Sequence, residues 1–448
     1  MGMTTTARSL LVLACLVLSP ALNMAGQEAR PSGLGFEFQE YRLRNGLRVI
    51  LSEDGSLPLV TVVVAYGAGT IREEPGQEGL AYLLENLMFQ GSENVSPLQH
   101  VGFIQKVGGE LNATTTLDKS LFYETLPSNY LALALWLESD RMKSLAITAA
   151  SIEKTRSDIL REHETRLLSD PYLESSARFD RFLFPDFAYG HPLIGSGAEL
   201  SGLTDENVLS FHQRFYVPTN AVLCIVGDIN PAKTRDLVSR YFDSIPPGYG
   251  VSMPPPPAFR QDGEVIQALP IGPVASVGFH FGYRFYPLQT GDAPAVRILE
   301  YLLLKGQTSR LRNRLLRRDL TAHHLSGGLE DRRGVLALKV FSLNNNAIMV
   351  QRAQKAVASE FERLRTNAVS ADELAKAKQQ FKMDYLRRLS TRLGRALFLV
   401  DAAFSGRPLD VLGAELEACL KVSPAALTSL ANRHVVPRNK AVLELEQR

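Results

Sequence analysis

Three polar residues on one predicted helix have the spacing of a catalytic site. Residues from about 78 to 90 are apolar at helical spacing, which predicts a helix. Tyr82 and Asn86 are four residues apart, so they share a face of this helix, and Glu85 lies beside them. A carboxylate so placed can accept a proton, while a phenol and an amide offer oxygen atoms to a cation.

Zinc peptidases of the inverted type carry His-x-x-Glu-His at this spacing, with two imidazoles on the metal and the glutamate as base. Here Tyr82 and Asn86 occupy the two histidine positions. The amide oxygen of Asn86 is a poor zinc ligand, and Tyr82 would have to lose a proton from a group with an ordinary pKa of about 10. We therefore expect no catalytic zinc bound by the usual route.

The stretch 79–92 resembles the pitrilysin/insulinase family of zinc metallopeptidases, whose pattern is Gly-Leu-Ala-His-x-x-Glu-His-x-x-Phe-x-Gly-Ser. The resemblance covers roughly residues 36–448. Other stretches that match family landmarks are residues 43–49, 108–113 with Asp118 and Tyr123, 189–195, 211–220, 226–228, 292–295 and 309–311. The resemblance implies two homologous α/β-sandwich repeats, each a mostly antiparallel sheet packed with helices, and hence an α+β fold.

Carried over residue by residue, the resemblance gives Glu85 the base position. Glu162, 76 residues after Asn86, takes the position of the third metal ligand. No metal is expected with this set, although a hard cation such as calcium could use its oxygens. The remaining possibility is a metal-free polar network, in which the two glutamates pair with basic side chains or hydrogen-bond Tyr82 and Asn86.

The resemblance also implies a substrate cradle, an edge strand that pairs with an extended peptide. Gly108, Gly109, Asn112 and Ala113 preserve it, and the alternative is that these residues only maintain the fold. Active members also use an arginine and a tyrosine from the second repeat. Leu316 and His323 hold those positions here, with a register uncertain by one residue.

The second half of the chain repeats the first at an offset of 215 residues. Residues 84–91 resemble residues 299–306. The β-branched run at 59–66 predicts a strand covered on both faces, and the same offset carries it onto the stretch around 273–280. A proline-rich segment, 246–262, separates the halves because it cannot continue a helix or a central strand. We predict a peptidase-like domain at 36–245 and a second at 263–448.

The N-terminus predicts export. A basic residue, Arg8, precedes a short apolar run ending near Pro20, as in a secretory signal, so we expect residues 1–26 to be removed. No later segment has 18 consecutive apolar residues, and no membrane span is expected after removal. Cys224 and Cys419 are predicted to be core residues without a bridge, and a net charge of +2 gives no case for nucleic acid.

Together these observations predict a non-catalytic family member, periplasmic or secreted, that positions peptides as a structural subunit. Family members work as clamshells of four repeats, so a two-repeat chain implies a homo- or heterodimer, with an intact peptidase subunit as the partner of interest. Two alternatives stay open: an active zinc endopeptidase with altered ligands, in which case zinc is the cofactor, and a module that only binds extended peptides.

Overall fold

The computed structural model of the chain describes residues 30–31, 35–252, 254, 263–272, 274, 276–409 and 412–447. The predicted signal segment, 1–26, and most of the proline-rich connection lie outside the described residues. None of the described helices is long and apolar enough to cross a membrane.

The first domain is built on a seven-stranded mixed sheet. Its strands are β1 (Arg30–Pro31), β2 (Glu37–Arg42), β3 (Arg48–Glu53), β4 (Leu59–Tyr66), β5 (Glu110–Thr115), β6 (Ser120–Pro127) and β7 (Ala221–Gly227). Their order is β1-β2-β3-β7-β4-β6-β5, and every pair is antiparallel except β3–β7. Gly46, with φ +87°, lies in the turn between β2 and β3.

The helices of the first domain include the one predicted at 78–90, which is the first of them. They are α1 (Leu80–Leu87), α2 (Gln99–Lys106), α3 (Leu131–Ser144), α4 (Ala149–Ser169), α5 (Leu173–Leu183), α6 (Phe187–Gly190), α7 (Gly197–Gly202), α8 (Asp205–Phe215) and α9 (Pro231–Phe242). Short 3-10 turns occur at Thr70–Arg72, Ser128–Tyr130 and Pro218–Asn220. Side chains of α1, α3, α4 and α8 pack with one face of the sheet into the first core.

The second domain has a five-stranded sheet covered by helices. Its strands are β8 (Val265–Ile271), β9 (Val277–Phe285), β10 (His324–Arg332), β11 (Val335–Asn344) and β12 (Lys440–Gln447). Its helices are α10 (Asp292–Leu303), α11 (Arg310–Arg312), α12 (Ala347–Thr366), α13 (Ala371–Leu389), α14 (Arg392–Phe404), α15 (Leu412–Leu420) and α16 (Pro424–His434). A π-helical turn, Asn313–Arg318, continues α11, and a 3-10 turn lies at Pro437–Asn439.

The two sheets share one topology. The order β3-β7-β4-β6-β5 in the first sheet corresponds to β8-β12-β9-β11-β10 in the second. In each sheet the first of these pairs is parallel and the others are antiparallel. The predicted α+β fold of two homologous repeats is confirmed.

One helix from each domain packs against the sheet of the other domain. Phe398 and Leu399 of α14 pack on the outer face of the first sheet, against Val63 and other strand residues. Phe179 and Leu183 of α5 pack in the same way on the second sheet. The predicted two-sided burial of β4 is confirmed, because Val62 and its alternates face the first core while Val63 faces α14.

Both cysteines outside the signal segment are buried in the structure, as predicted. Cys224 lies in β7 and Cys419 in α15, and both are free thiols.

Candidate functional site

Helix α1, which carries the three polar residues, is held in place at its N-terminus. Gly79 adopts φ +93°, and a Cβ at this position would lie 2.2 Å from the carbonyl oxygen of Ile194, so only glycine fits. The buried carboxylate of Glu73 accepts the N–H groups of Gly79 at 3.1 Å and Ala81 at 2.7 Å. Glu73 thus caps the positive end of the helix, a role that sequence reasoning missed.

Tyr82 and Asn86 form a small polar unit on one face of α1. The side-chain amide of Asn86 donates to the backbone carbonyl of Tyr82 at 2.9 Å. Burial raises the pKa of the Tyr82 phenol, and the nearby carboxylates of Glu162 and Glu85 raise it further. The phenol is therefore held in its neutral form, which is not a zinc ligand.

Glu85 is half-buried beside Thr115 at the end of β5. Burial raises the pKa of the Glu85 carboxyl, hydrogen bonds from Thr115 lower it, and the charge of Glu162 raises it. One of its oxygens, Oε2, is buried and has no hydrogen-bond partner within the described part of the chain. The position retains a carboxylate of raised proton affinity.

Glu162 reaches the same cluster from α4, which packs against α1. The structure thus brings together the four residues that the family resemblance placed at the metal site. The Glu162 carboxylate is 43% exposed and lies 2.5 Å from the guanidinium of Arg166, one helical turn further along. A basic side chain therefore already pairs with the one ordinary zinc ligand of the set.

The residues of this cluster do not fit a catalytic zinc site. Such a site needs about three good protein ligands and an open position for water. Tyr82 is a neutral phenol, Asn86 is a neutral amide, and Glu162 is paired with Arg166. The arrangement corresponds to the metal-free polar network described above as an alternative.

Nearby histidines do not replace the missing ligands. His191 is buried, donates from Nε2 to the carbonyl of Thr70 at 3.0 Å, and lies 3.5 Å from Glu73, so it braces the start of α1. His163 is half-buried on α4, and its Nδ1 has no hydrogen-bond partner among the residues that the structure describes. Neither residue belongs to a group of three metal-ligating side chains in the described chain.

The strand with the predicted substrate cradle, β5, is the edge of the first sheet. Gly108, with φ +77°, turns the chain into it. The N–H of Ala113 donates a hydrogen bond to Oδ1 of Asn112 at 2.8 Å, and the Ala113 carbonyl accepts one from the Thr114 hydroxyl at 2.8 Å. The N–H of Thr116 points toward β6 and its hairpin turn. Since the backbone groups of successive residues in an edge strand point alternately toward the sheet and away from it, those of residues 111, 113 and 115 point away from β6.

Leu316 and His323, at the degenerate arginine and tyrosine positions, are tied to the second domain. Leu316 lies in the π-helical turn and packs against the second core. His323 is exposed and lies 3.2 Å from the hydroxyl of Ser276. The aliphatic side chain of Leu316 cannot make the hydrogen bonds of the arginine that the resemblance implies at this position.

Comparison with known proteins agrees with the two-domain fold. A sequence profile described as insulinase (peptidase family M16) matches residues 48–170, and one described as the peptidase M16 inactive domain matches residues 202–381. The chain belongs to the M16 insulinase/pitrilysin family. Among its M16 relatives is the zinc protease PqqE of Helicobacter pylori, 25% identical over 353 residues, which are 78% of this chain and 79% of the relative.

Solved M16 structures share the fold. The crystal structure of a protease from Helicobacter pylori superposes with a TM-score of 0.85 at 23% identity, covering 91% of this chain and 99% of that one. The periplasmic protease PqqL from Escherichia coli gives a TM-score of 0.72 at 16% identity, covering 91% of this chain but 47% of PqqL. This chain therefore corresponds in extent to about half of PqqL.

Proposed function

We propose that this chain is a non-catalytic M16 protein that acts as a structural and peptide-positioning subunit of an exported peptidase complex. The observation that carries the proposal is the cluster on α1 and α4. It keeps the frame of a metal site, with Glu85 and Glu162 in place, but offers a neutral phenol and an amide where two imidazoles are required.

Peptide binding does not depend on the missing ligands. An extended peptide that adds to a sheet edge is held by main-chain hydrogen bonds, and β5 presents outward backbone groups at residues 111 and 113. The side chains of Asn112 and Thr114 form hydrogen bonds with the backbone N–H and carbonyl of Ala113, respectively. We infer that an incoming strand displaces these two side chains and runs toward Glu85.

Partner and location follow from the same proposal. PqqL is named a periplasmic protease, and this chain spans less than half of it. A partner chain of the same family would complete an assembly of that size, and the intact ligand set would then belong to the partner. Export of this chain is proposed from the signal-like segment at 1–26.

A proline at Ala113 tests the cradle. Proline removes an N–H that points away from β6, so the sheet keeps its hydrogen bonds while the edge loses a donor. We expect A113P to bind fluorescein-labelled, reduced and carboxymethylated α-lactalbumin at least about tenfold more weakly than wild type, by fluorescence anisotropy.

The matched control is A113S, which keeps the N–H and should bind like wild type. Far-UV circular dichroism and the melting temperature show whether A113P remains folded. Equal affinity of a folded A113P and wild type would contradict the use of this edge, and no affinity in wild type would remove the peptide-positioning role.

A further inference from the structure

A second group of potential ligands lies in the core of the first domain. His100 of α2, Glu124 of β6 and Glu138 of α3 place their ligating atoms within 4.8 Å of one another. His100 Nε2 and Glu124 Oε2 are 3.1 Å apart. All three residues are at most 4% exposed. In the described chain, no other group of three His, Cys, Asp or Glu side chains has this geometry.

The hydrogen bonds of this group are incomplete. Arg141 holds both oxygens of Glu138, through Nε at 2.9 Å and Nη2 at 2.5 Å. Glu124 contacts His100 through Oε2 only. Its Oε1 and the Nη1 of Arg141 are buried, and neither makes a hydrogen bond to any described residue. An unpaired carboxylate oxygen in a dry core costs free energy that some further group must offset.

The group carries an excess negative charge. With both carboxylates ionised and His100 neutral, Arg141 balances Glu138 and leaves one buried negative charge on Glu124. A proton on Glu124 cancels this charge, whereas a divalent cation reverses its sign and must be stabilised by its bonds to the ligands. An imidazole nitrogen with two carboxylate oxygens is a donor set that first-row transition metals accept.

We propose that His100, Glu124 and Glu138 bind a divalent metal ion, Zn²⁺ by its donor set, in a buried structural site whose fourth donor is the unpaired Oε1 of Glu124. Ligands on one tetrahedral zinc lie about 3.4 Å apart, given bond lengths of about 2.0–2.2 Å. The His100–Glu124 separation of 3.1 Å is close to this value, and the Glu138 oxygen, within 4.8 Å of the other two ligating atoms, would have to move inward to complete the set. A carboxylate has about four lone-pair directions, so Glu138 can bind the metal and keep Arg141, which then orients it.

The site would be structural rather than catalytic. Aromatic rings close it, since Phe89 lies 6.5 Å from the His100 ring and the Arg141 guanidinium stacks 4.4 Å from the Phe122 centroid. The metal would join α2 and α3 to β6, the strand that supports the edge strand β5. It would therefore stiffen the predicted peptide cradle from behind.

Metal content tests the proposal on the whole mature chain. Protein refolded from chelator-containing denaturant in the presence of Zn²⁺, then dialysed, should retain one zinc per chain by plasma mass spectrometry. The variants E124Q and H100Q should bind zinc at least about tenfold more weakly. The matched controls E85Q and E162Q, which alter the α1–α4 cluster, should retain it fully.

The melting temperature provides a second measurement. Chelation should lower that of wild type and leave that of E124Q unchanged, since a ligand stabilises only the state that binds it. Wild type that retains no zinc would overturn the proposal and indicate a proton on Glu124 instead. Zinc lost in E85Q or E162Q but kept in E124Q would overturn it too, and would also contradict the proposed function.

Discussion

At the scale of single residues, the proposed loss of zinc rests on Tyr82 and Asn86, which hold the positions that the family resemblance gives to two histidines. Glu85 and Glu162 hold the positions that it gives to the base and the third ligand, and α1 and α4 bring them to one cluster. The amide of Asn86 donates a hydrogen bond to the backbone carbonyl of Tyr82, and Glu162 pairs with Arg166. The network is not fully satisfied, because Oε2 of Glu85 has no hydrogen-bond partner among the described residues.

Restoring the two imidazoles should restore zinc. The double variant Y82H/N86H should bind one more zinc per chain than wild type, measured by plasma mass spectrometry. The exposed Glu162–Arg166 ion pair stabilises the fold by about 0–1 kcal/mol, whereas the free energy of zinc binding can reach about 10–16 kcal/mol. We therefore expect Glu162 to leave Arg166 and bind the metal. Adding E162Q should abolish the gain, and a double variant with no additional zinc would show that α4 holds Glu162 out of reach.

The residues that sequence reasoning found are those close to a motif. Glu162 could be located because its distance from Asn86 is a property of the family. Glu73, Thr115 and Arg166 could not, since capping, strand-end contacts and pairing with a carboxylate depend on how separate elements pack. The acidic residue ahead of a predicted helix start was a visible signal for Glu73, because carboxylates favour that end.

At the scale of elements, the exchange of α5 and α14 holds the molecule together. His280 of β9 lies in the contact with α5, stacked on Phe179 at 5.2 Å and 2.7 Å from the Ser175 hydroxyl. Burial lowers the pKa of His280 to about 3, and the charge of Lys339 lowers it further. The imidazole must therefore stay neutral for the helix to pack.

Acid should weaken this contact. Below the ordinary histidine pKa of about 6.5 the unfolded chain takes up a proton that folded His280 refuses, so stability present above that pH is lost as pH falls toward 3. His280 accounts for up to about 1.4 kcal/mol per pH unit. In urea titrations at pH 7, 6 and 5, the stability difference between wild type and H280Q should therefore shrink. A difference independent of pH would contradict this assignment.

Helices and strands could be predicted where the pattern of apolar residues within one segment was sufficient. The elements against which they pack could not be predicted in this way. The β-branched run of β4 predicted a strand covered on both faces, and its spacing to α1 recurred in the second half. One face of β4 is covered by α14, which lies more than 300 residues later in the chain. This contact could not be predicted, because the apolar residues on that face are compatible with any apolar helix. The same holds for α5 on the second sheet.

At the scale of the whole molecule, the chain consists of two packed repeats, and β5 is an edge strand of the first sheet. Ion pairs that join the halves, such as Arg395–Asp54 at 3.0 Å and Arg332–Asp180 at 2.7 Å, support one unit with two linked sheets. The proposed function adds a second chain of the same family to this unit.

Natively expressed protein should therefore purify as a heterodimer. Light scattering should give about twice the chain mass, and mass spectrometry should identify an M16 chain with an intact His-x-x-Glu-His sequence, since a clamshell needs four repeats. A homodimer would favour the peptide-binding module over the helper subunit. A monomer without a family partner would contradict the subunit role.

The most direct test of the central claim is peptide cleavage by the purified chain with added Zn²⁺, compared between wild type and E85Q. A quenched fluorescent peptide library is the substrate, and loss of the base position should remove any metal-dependent hydrolysis. If the chain is non-catalytic, the two proteins will give identical background rates. Hydrolysis by wild type that disappears in E85Q and on chelation would show an active peptidase and contradict the proposed non-catalytic role.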